Sequence, residues 1–390
     1  MNIDAGQTFN FLPIPTDVHF GFGTSRSLPI HVRSFGGRKV FVVTDPGVRC
    51  SGIVDRVTGV LEQEAIDFEI YDQVTADSGS RLICEAVDKL KTAAADLVVG
   101  VGGGSALDTA KAVAALATNP GSPLDYVGLH KVRNRPLPTV AIPTTAGTGS
   151  EVSLWSVFTD DDRKLKVAIG GVPMYPAVAL CDPELTMQLP PALTASTGMD
   201  ALAHAVECYT NKACQPISGA LALKAVELIG RHLQRAALDG EDREARYGML
   251  LASTMAGMAM NPTRLGLAHA LAMPLGSWDL KIPHSIAIAV TLPLVMRFNG
   301  SAAPERFADV ARALGEPLGG VGTIDSASRA AWAVSGLADA IGIPKGLSEY
   351  GLREHHVDEV VQEAMKSGNV TVNPRPTSKE QLAEILRSCL

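Results

Sequence analysis

Residues 97–118 read LVVGVGGGSALDTAKAVAALAT. The opening run, Leu97–Val101, shows no polar–apolar alternation, which suits a strand covered on both faces in a parallel sheet. Ala106–Leu116 then carries the pattern of a helix. Between them stand Gly102, Gly103, Gly104 and Ser105. Glycines at such a junction let the backbone approach a diphosphate, and the N–H groups that open the helix favour its negative charge. Three glycines alone also describe a tight turn. The motif is not GxGxxG, whose acidic residue follows about 20 residues later, so a dinucleotide reading needs support elsewhere.

Outward from this segment the first half alternates strands and helices. Lys39–Thr44 reads as a buried strand ending at Asp45-Pro46-Gly47, followed by a helix near Val54–Glu64 and a strand at Phe68–Tyr71. Leu82, Ile83, Ala86, Val87 and Leu90 recur at helical spacing within Ser80–Ala95. Further strands are expected at Thr139–Ile142 and Val178–Cys181, with a hairpin of Trp155–Thr159 and Leu165–Ile169 around Asp160-Asp161-Asp162-Arg163. Strands alternating with helices predict a doubly wound α/β domain, placed at residues 1–187. Past Pro190-Pro191 the chain turns Ala/Leu-rich, with helical stretches at Ala192–Thr210, Ser218–Leu238, Arg243–Met260, His284–Phe298, Pro304–Leu314, Ser326–Ile341 and Glu354–Met365. Residues 188–390 are therefore expected to form an all-helical domain.

Composition narrows the class. The chain has 390 residues, 46% hydrophobic and 19% charged, with a net charge of −7. That is enough for two or three globular domains. The acidic balance and the lack of a Lys/Arg-rich run argue against nucleic acid or an anionic membrane as partner. No basic start followed by an apolar run marks a signal peptide. The most apolar stretch, Ile286–Met296, is too short to span a bilayer. Six cysteines without a CxxC pair read as thiols in a reducing compartment, so a cytoplasmic protein is expected. The composition allows a homo-oligomer.

The second half carries the strongest chemical signal. In TGMDALAHAVE, Asp200 and His204 stand four apart and share one helix face. His269 lies in GLAHALAMPLG and His284 in KIPHSIAIAV. A lone histidine in an apolar stretch is ordinarily a satisfied core residue. Here two lie in apolar helical surroundings where an unpaired imidazole is costly. Three imidazoles and a carboxylate suit a borderline divalent ion, Fe²⁺ or Zn²⁺. His19, His31, His130, His232, His355 and His356 lie in polar or loop-like contexts and read as surface. On the nucleotide side, PTTAGTGS (143–150) is a second strand-end loop rich in hydroxyl donors, and Asp45 ends an earlier strand. A carboxylate there would bind an adenosine ribose and repel a 2′-phosphate, favouring NAD over NADP. A metal together with a dinucleotide implies hydride chemistry.

In combination, GGGSALDTAK, PTTAGTGSEV, TGMDALAHAVECYT and GLAHALAMPLG…IPH resemble the iron-containing (group III) alcohol dehydrogenases over nearly the whole chain. The resemblance implies a dinucleotide-binding α/β domain, an all-α metal-binding domain of dehydroquinate synthase-like type, and a cleft between them. It implies Asp200, His204, His269 and His284 as metal ligands. It also implies Asp45, Gly102, Gly103, Gly104, Ser105, Asp108, Thr144, Thr145, Thr148 and Lys166 as cofactor positions. The activity implied is hydride transfer between an alcohol (or its aldehyde or ketone) and NAD.

The chain departs from the family pattern at three places. Met273 stands four residues after His269, where many members carry a histidine proposed to relay the alcohol proton. The segment around Ser277–Lys281 is about one residue longer, and Ala76 stands where asparagine is frequent. Met258, Met260, Met273, Trp155 and Trp278 are candidates to line an apolar substrate pocket, or equally to pack helices. Alternatives within the superfamily are a hydroxyacid–oxoacid transhydrogenase or hydroxybutyrate-type dehydrogenase, for which Lys281 or Arg264 would meet the carboxylate. Maleylacetate reductase, a dehydroquinate-synthase-like lyase and a non-catalytic metal protein fit less well.

Overall fold

The computed structural model describes residues 8–9, 11, 13–276, 280 and 282–390. Two compact units emerge along the described chain, one of Ile14–Leu189 and one of Pro190–Leu390 together with the described residues up to Pro13, which the sequence reading places in the α/β domain.

The first unit contains strands β1 (Asp17–Phe20), β2 (Lys39–Val43), β3 (Asp67–Tyr71), β4 (Leu97–Gly102), β5 (Gly128–Leu129), β6 (Thr139–Pro143), β7 (Trp155–Asp160), β8 (Leu165–Gly170) and β9 (Val178–Cys181). Its helices are α1 (Leu28–Ser34), α2 (Pro46–Cys50), α3 (Ile53–Gln63), α4 (Ser80–Ala93) and α5 (Gly104–Thr118). The main sheet runs β1-β9-β6-β4-β2-β3, and every pairing in it is parallel. A smaller sheet, β5-β8-β7, contains the expected hairpin, with Trp155 opposite Gly170 and Asp160 opposite Leu165.

Side-chain alternation along β2 explains the two layers of helices. Phe41 and Val43 enter one core with Ile83, Val87 and Leu90 of α4 and Ala110 and Val113 of α5. Val40 and Val42 enter the other with Leu28 and Val32 of α1 and Val54, Val57 and Leu61 of α3. The sheet is thus covered on both faces, as its unalternating central strands require. Burying each of Ile83, Val87 and Leu90 contributes roughly 1.5–3 kcal/mol. β1 carries no sequence signal of its own. It is a four-residue strand, DVHF, that among the described residues pairs with β9 alone.

The second unit is helical: α6 (Pro191–Thr210), α7 (Pro216–Leu238), α8 (Arg243–Thr263), α9 (Leu267–Leu275), α10 (His284–Asn299), α11 (Pro304–Ala313), α12 (Thr323–Ala340), α13 (Val357–Ala364), α14 (Gly368–Val372) and α15 (Lys379–Arg387). A proline at the first position of α6 presets its φ. From Gly198 to Thr210 α6 is buried on every side, packed by α7, α8 and α10. A helix apolar all round belongs at the centre of a bundle, which makes any polar group on it exceptional. Among the described residues one stretch, His284–Ala302, is long and apolar enough to cross a membrane, and 56% of it is buried within the protein.

One histidine departs from the sequence reading. His232, expected at the surface, is buried on α7. Its neighbours Arg231, Gln234 and Arg235 made the local context polar, yet Leu228, Ile229, Leu233 and Ala236 define a buried face that includes it. The ring lies so close to α8 that a Cβ on Gly248 would come within 2.2 Å of it.

Candidate functional site

α6 presents Asp200 and His204 one turn apart, both buried. α9 presents His269, and His284 is the first residue of α10. Ligand atoms of Asp200, His269 and His284 lie within 4.8 Å of one another. His204 flanks this trio, its ring stacked on His269 at 4.6 Å between centroids and its Nε2 3.9 Å from Asp200 Oδ1. The rings of His269 and His284 are 5.7 Å apart. Helical spacing made the first pair recognisable, and the packing of α10 on α6 and of α9 on α10 brings the other two to it.

The donor set fits a divalent cation. Asp200 Oδ1 and His269 Nε2 are buried, have no hydrogen-bond partner among the described residues, and face each other at 3.4 Å. With the His269 ring neutral, two such acceptor atoms left against one another would each incur a desolvation cost of about 1–3 kcal/mol. A cation between nitrogen and oxygen donors removes that cost. Burial alone would raise the Asp200 pKa, but His204, His269 and His284 outweigh it and hold the carboxyl well below its usual range. Burial likewise disfavours the His269 imidazolium, yet Glu207 and Asp200 overcome this and raise its pKa to about 9.

Glu207 is the residue that the sequence reading missed. It lies three residues after His204 and seven after Asp200, on the same face of α6, and is itself buried. Its Oε2 accepts from His269 Nδ1 at 2.6 Å and from the Gly266 N–H at 2.8 Å; its Oε1 accepts from the Ala268 N–H at 2.7 Å. The signal was available as a glutamate on the buried, ligand-bearing face of an apolar helix, a position that charged residues almost never occupy unless paired.

The nucleotide-type residues converge on one edge of the main sheet. β2, β4 and β6 are neighbouring parallel strands, so their C-terminal ends align. Thr144 follows β6, and its N–H donates to the Gly102 carbonyl at 3.0 Å. Gly102 has φ 152°, and a Cβ there would lie 2.7 Å from Ala106 Cβ. A Cβ on Gly104 would lie 2.6 Å from Thr148 Cγ2, and one on Gly103 3.3 Å from Thr145 Cγ2. The threonine loop therefore occupies the space that side chains at 103 and 104 would need. α5 starts at Gly104 without a side-chain cap, so its first N–H groups stay available to an anion. Asp45 caps α2 through Oδ1, which accepts from the Val48 N–H at 3.0 Å, and turns Oδ2 toward Gly102. These are the features a dinucleotide diphosphate and ribose require, and the cradle fits them.

The remaining candidates sit further out. Ser105 Oγ donates to the Ala76 carbonyl at 2.5 Å. Lys166, on β8, pairs with Asp77 at 2.7 Å. Both oxygens of Asp108 are engaged by protein donors, Oδ1 by Ser150 Oγ at 2.5 Å and Lys111 Nζ at 2.9 Å, Oδ2 by the Val157 N–H at 2.9 Å. Buried Lys111 also donates to the Ser150 and Trp155 carbonyls. Asp108 and Lys111 thereby pin the end of the threonine loop to α5. The Trp155 ring packs on Gly170. Met258 and Met260 are half-buried on α8, and Met273 is half-buried one turn after His269. Arg264 directs its guanidinium onto Gly368. Lys281 and Trp278 lie outside the described residues.

Comparison with known proteins agrees with this arrangement. Residues 15–183 match the family model described as iron-containing alcohol dehydrogenase, and residues 194–390 match the C-terminal model of the Fe-containing alcohol dehydrogenase family. The chain is 37% identical over 392 residues to the choline dehydrogenase of Bacillus subtilis (strain 168), covering 100% of this chain and 97% of the relative. It is 37% identical over 381 residues to the NAD-dependent methanol dehydrogenase of Bacillus methanolicus, covering 98% and 100%. A crystal structure of a 1,3-propanediol oxidoreductase superposes with a TM-score of 0.95 at 38% identity, covering 98% of this chain and 100% of the other.

Proposed function

The chain belongs to the iron-containing alcohol dehydrogenase family, and from that premise we propose how its own residues divide the work. It is an NAD-dependent, iron-containing oxidoreductase that interconverts an alcohol and the corresponding carbonyl compound. Its fold is a doubly wound α/β unit followed by a helical one, of dehydroquinate synthase-like type.

In our reading Asp200, His204, His269 and His284 hold the cation. The single observation that carries it is the convergence of three buried or half-buried ligand groups, two of them with atoms that have no hydrogen-bond partner among the described residues. When bound, the cation supplies a Lewis acid for the substrate oxygen and the nicotinamide supplies the hydride acceptor. Asp200 contributes the one anionic donor, and the surrounding imidazoles keep it ionised. Gly102, Gly103, Gly104, Ser105, Thr144, Thr145 and Thr148 form the diphosphate cradle. Asp45 holds the ribose hydroxyls and repels a 2′-phosphate, and Lys166 faces the cofactor from β8. Asp108 acts through the loop it anchors. Met273 has no proton to transfer, so the alcohol proton reaches solvent without a side-chain relay at this position.

The substrate we propose is a small primary alcohol. Choline, methanol and 1,3-propanediol, named for the similar proteins, each carry a hydroxyl on a carbon that bears at least two hydrogens. A cytoplasmic location is in keeping with six cysteines that form no disulfide among the described residues. The test is NADH formation from a panel of primary alcohols by native protein, by protein stripped with a chelator, and by stripped protein reloaded with Fe²⁺ or Zn²⁺. Turnover should vanish on stripping and return on reloading. Undiminished turnover in stripped protein, or in Asp200→Ala, would refute the ligand assignment. Exchange seen only with a 2-oxoacid present would favour the transhydrogenase.

A further inference from the structure

We propose that Glu207 is a positioning residue that fixes the tautomer of His269 and so sets the affinity of the cation site; this rests on the ligand set proposed above. A carboxylate only accepts hydrogen bonds. The 2.6 Å contact between Glu207 Oε2 and His269 Nδ1 therefore places a proton on Nδ1. In the neutral imidazole that a metal ligand must be, the single N–H then stands on Nδ1 and the lone pair on Nε2, the atom 3.4 Å from Asp200 Oδ1 that has no hydrogen-bond partner among the described residues. The opposite tautomer would turn an N–H toward Asp200 and leave no nitrogen donor for a metal.

Glu207 also holds the backbone that carries His269. The Gly266 and Ala268 N–H groups at the start of α9 both donate to it. An anion there satisfies two of the donors a helix start leaves open and complements the helix dipole. Room for this contact comes from Gly266, because a Cβ at that position would stand 2.7 Å from Glu207 Oε1. Ring orientation, ring protonation and the entry of α9 are thus set by one side chain on the helix that also carries Asp200 and His204.

A carboxylate partner that only capped α9 would matter for stability and not for the metal. Titration of metal-free protein with Zn²⁺ against a competing chelator separates the two, with the visible spectrum of the Co²⁺-loaded protein as a second readout. Glu207→Gln keeps the shape but offers an amide that can donate to Nδ1, admitting the other tautomer. It should bind Zn²⁺ about 10–100-fold more weakly and shift the Co²⁺ bands, with an unchanged circular dichroism spectrum. Glu207→Asp, which keeps a carboxylate, should retain more affinity than Gln. Gly266→Ala leaves the charge in place but crowds the carboxylate off His269, and should weaken Zn²⁺ binding in the same direction; it decides the matter if the Gln variant does not fold. Wild-type affinity and Co²⁺ spectrum in folded Glu207→Gln, or in Gly266→Ala, would overturn the proposal. Wild-type affinity in Asp200→Ala and His284→Ala would overturn the ligand set instead.

Discussion

Arg264 ends α8 with φ 62° and ψ −172°. Ala65, Ala94, His130 and Lys164 also have positive φ, but Ala94, at φ 52° and ψ 36°, rests in the ordinary left-handed well. The Arg264 combination belongs to a region populated essentially by glycine and costs on the order of 1–3 kcal/mol. Neighbouring contacts impose it. The Arg264 N–H continues the helix to the Met260 carbonyl, while its own carbonyl accepts from Thr263 Oγ1 at 2.9 Å and Asn211 Nδ2 at 3.2 Å. Replacing Arg264 by glycine releases the strain but raises the freedom of the unfolded chain, a loss of roughly 0.5–1 kcal/mol. Loss of the guanidinium contact with Gly368 is removed from the comparison by taking Arg264→Ala as reference, since alanine keeps the strain and lacks the guanidinium. Arg264→Gly should then exceed Arg264→Ala in stability by about 0.5–2 kcal/mol, the reverse of the usual order of these residues. For a cooperative unit of this size that corresponds to a melting shift of about 1–8 °C. Scanning calorimetry on metal-loaded protein measures it, with urea midpoints at unchanged slope as a check. A glycine variant no more stable than the alanine variant would refute the strain argument.

Gly104→Ala should raise the Kd for NAD⁺ by about tenfold, roughly 1.4 kcal/mol, because its Cβ meets Thr148 Cγ2 at 2.6 Å. Adding Thr148→Ala should restore part of the loss in calorimetric titration, and strict additivity of the two changes would show the contact to be unimportant. Asp45→Asn should improve the NADP⁺-to-NAD⁺ ratio of kcat/KM while keeping a capping oxygen for α2. An unchanged ratio would remove Asp45 from the ribose site. Burial alone would raise the Asp96 pKa, but N–H groups of Arg38 and Lys39 and the Arg38 guanidinium overcome it and hold the carboxyl below its usual value. A depressed folded-state pKa contributes stability that is complete above the unfolded-state value, about 3.9, and is lost as pH falls through the lowered one. The stability gap between wild type and Asp96→Asn should therefore be widest near neutrality and close under acid conditions. A gap independent of pH in urea titrations would contradict this.

Several elements were legible because their cause is local. The unalternating run Leu97–Val101, the glycines after it and the spacing of Ile83, Ala86, Val87 and Leu90 each report the burial that the sheet and α4 display. Others carried a signal that went unread. Ser378 and Gln381 form a capping box at the start of α15, a pattern visible in SKEQ. α9 was obscured by its length of nine residues and by Pro274 within it.

By itself the order of residues determined the alternation of strand and helix, the change to helical texture after Pro190, the glycine turn, and the pairing of Asp200 with His204 on one helix face. Each depends on periodicities of two or 3.6 residues, which act between near neighbours. Tertiary structure alone decided that His269 and His284 stand against Asp200, that Asp108 turns its carboxylate to the threonine loop, and that Glu207 grips both His269 and the start of α9. Those contacts join residues dozens of positions apart. Their geometry follows from how whole helices pack, and no local spacing encodes it.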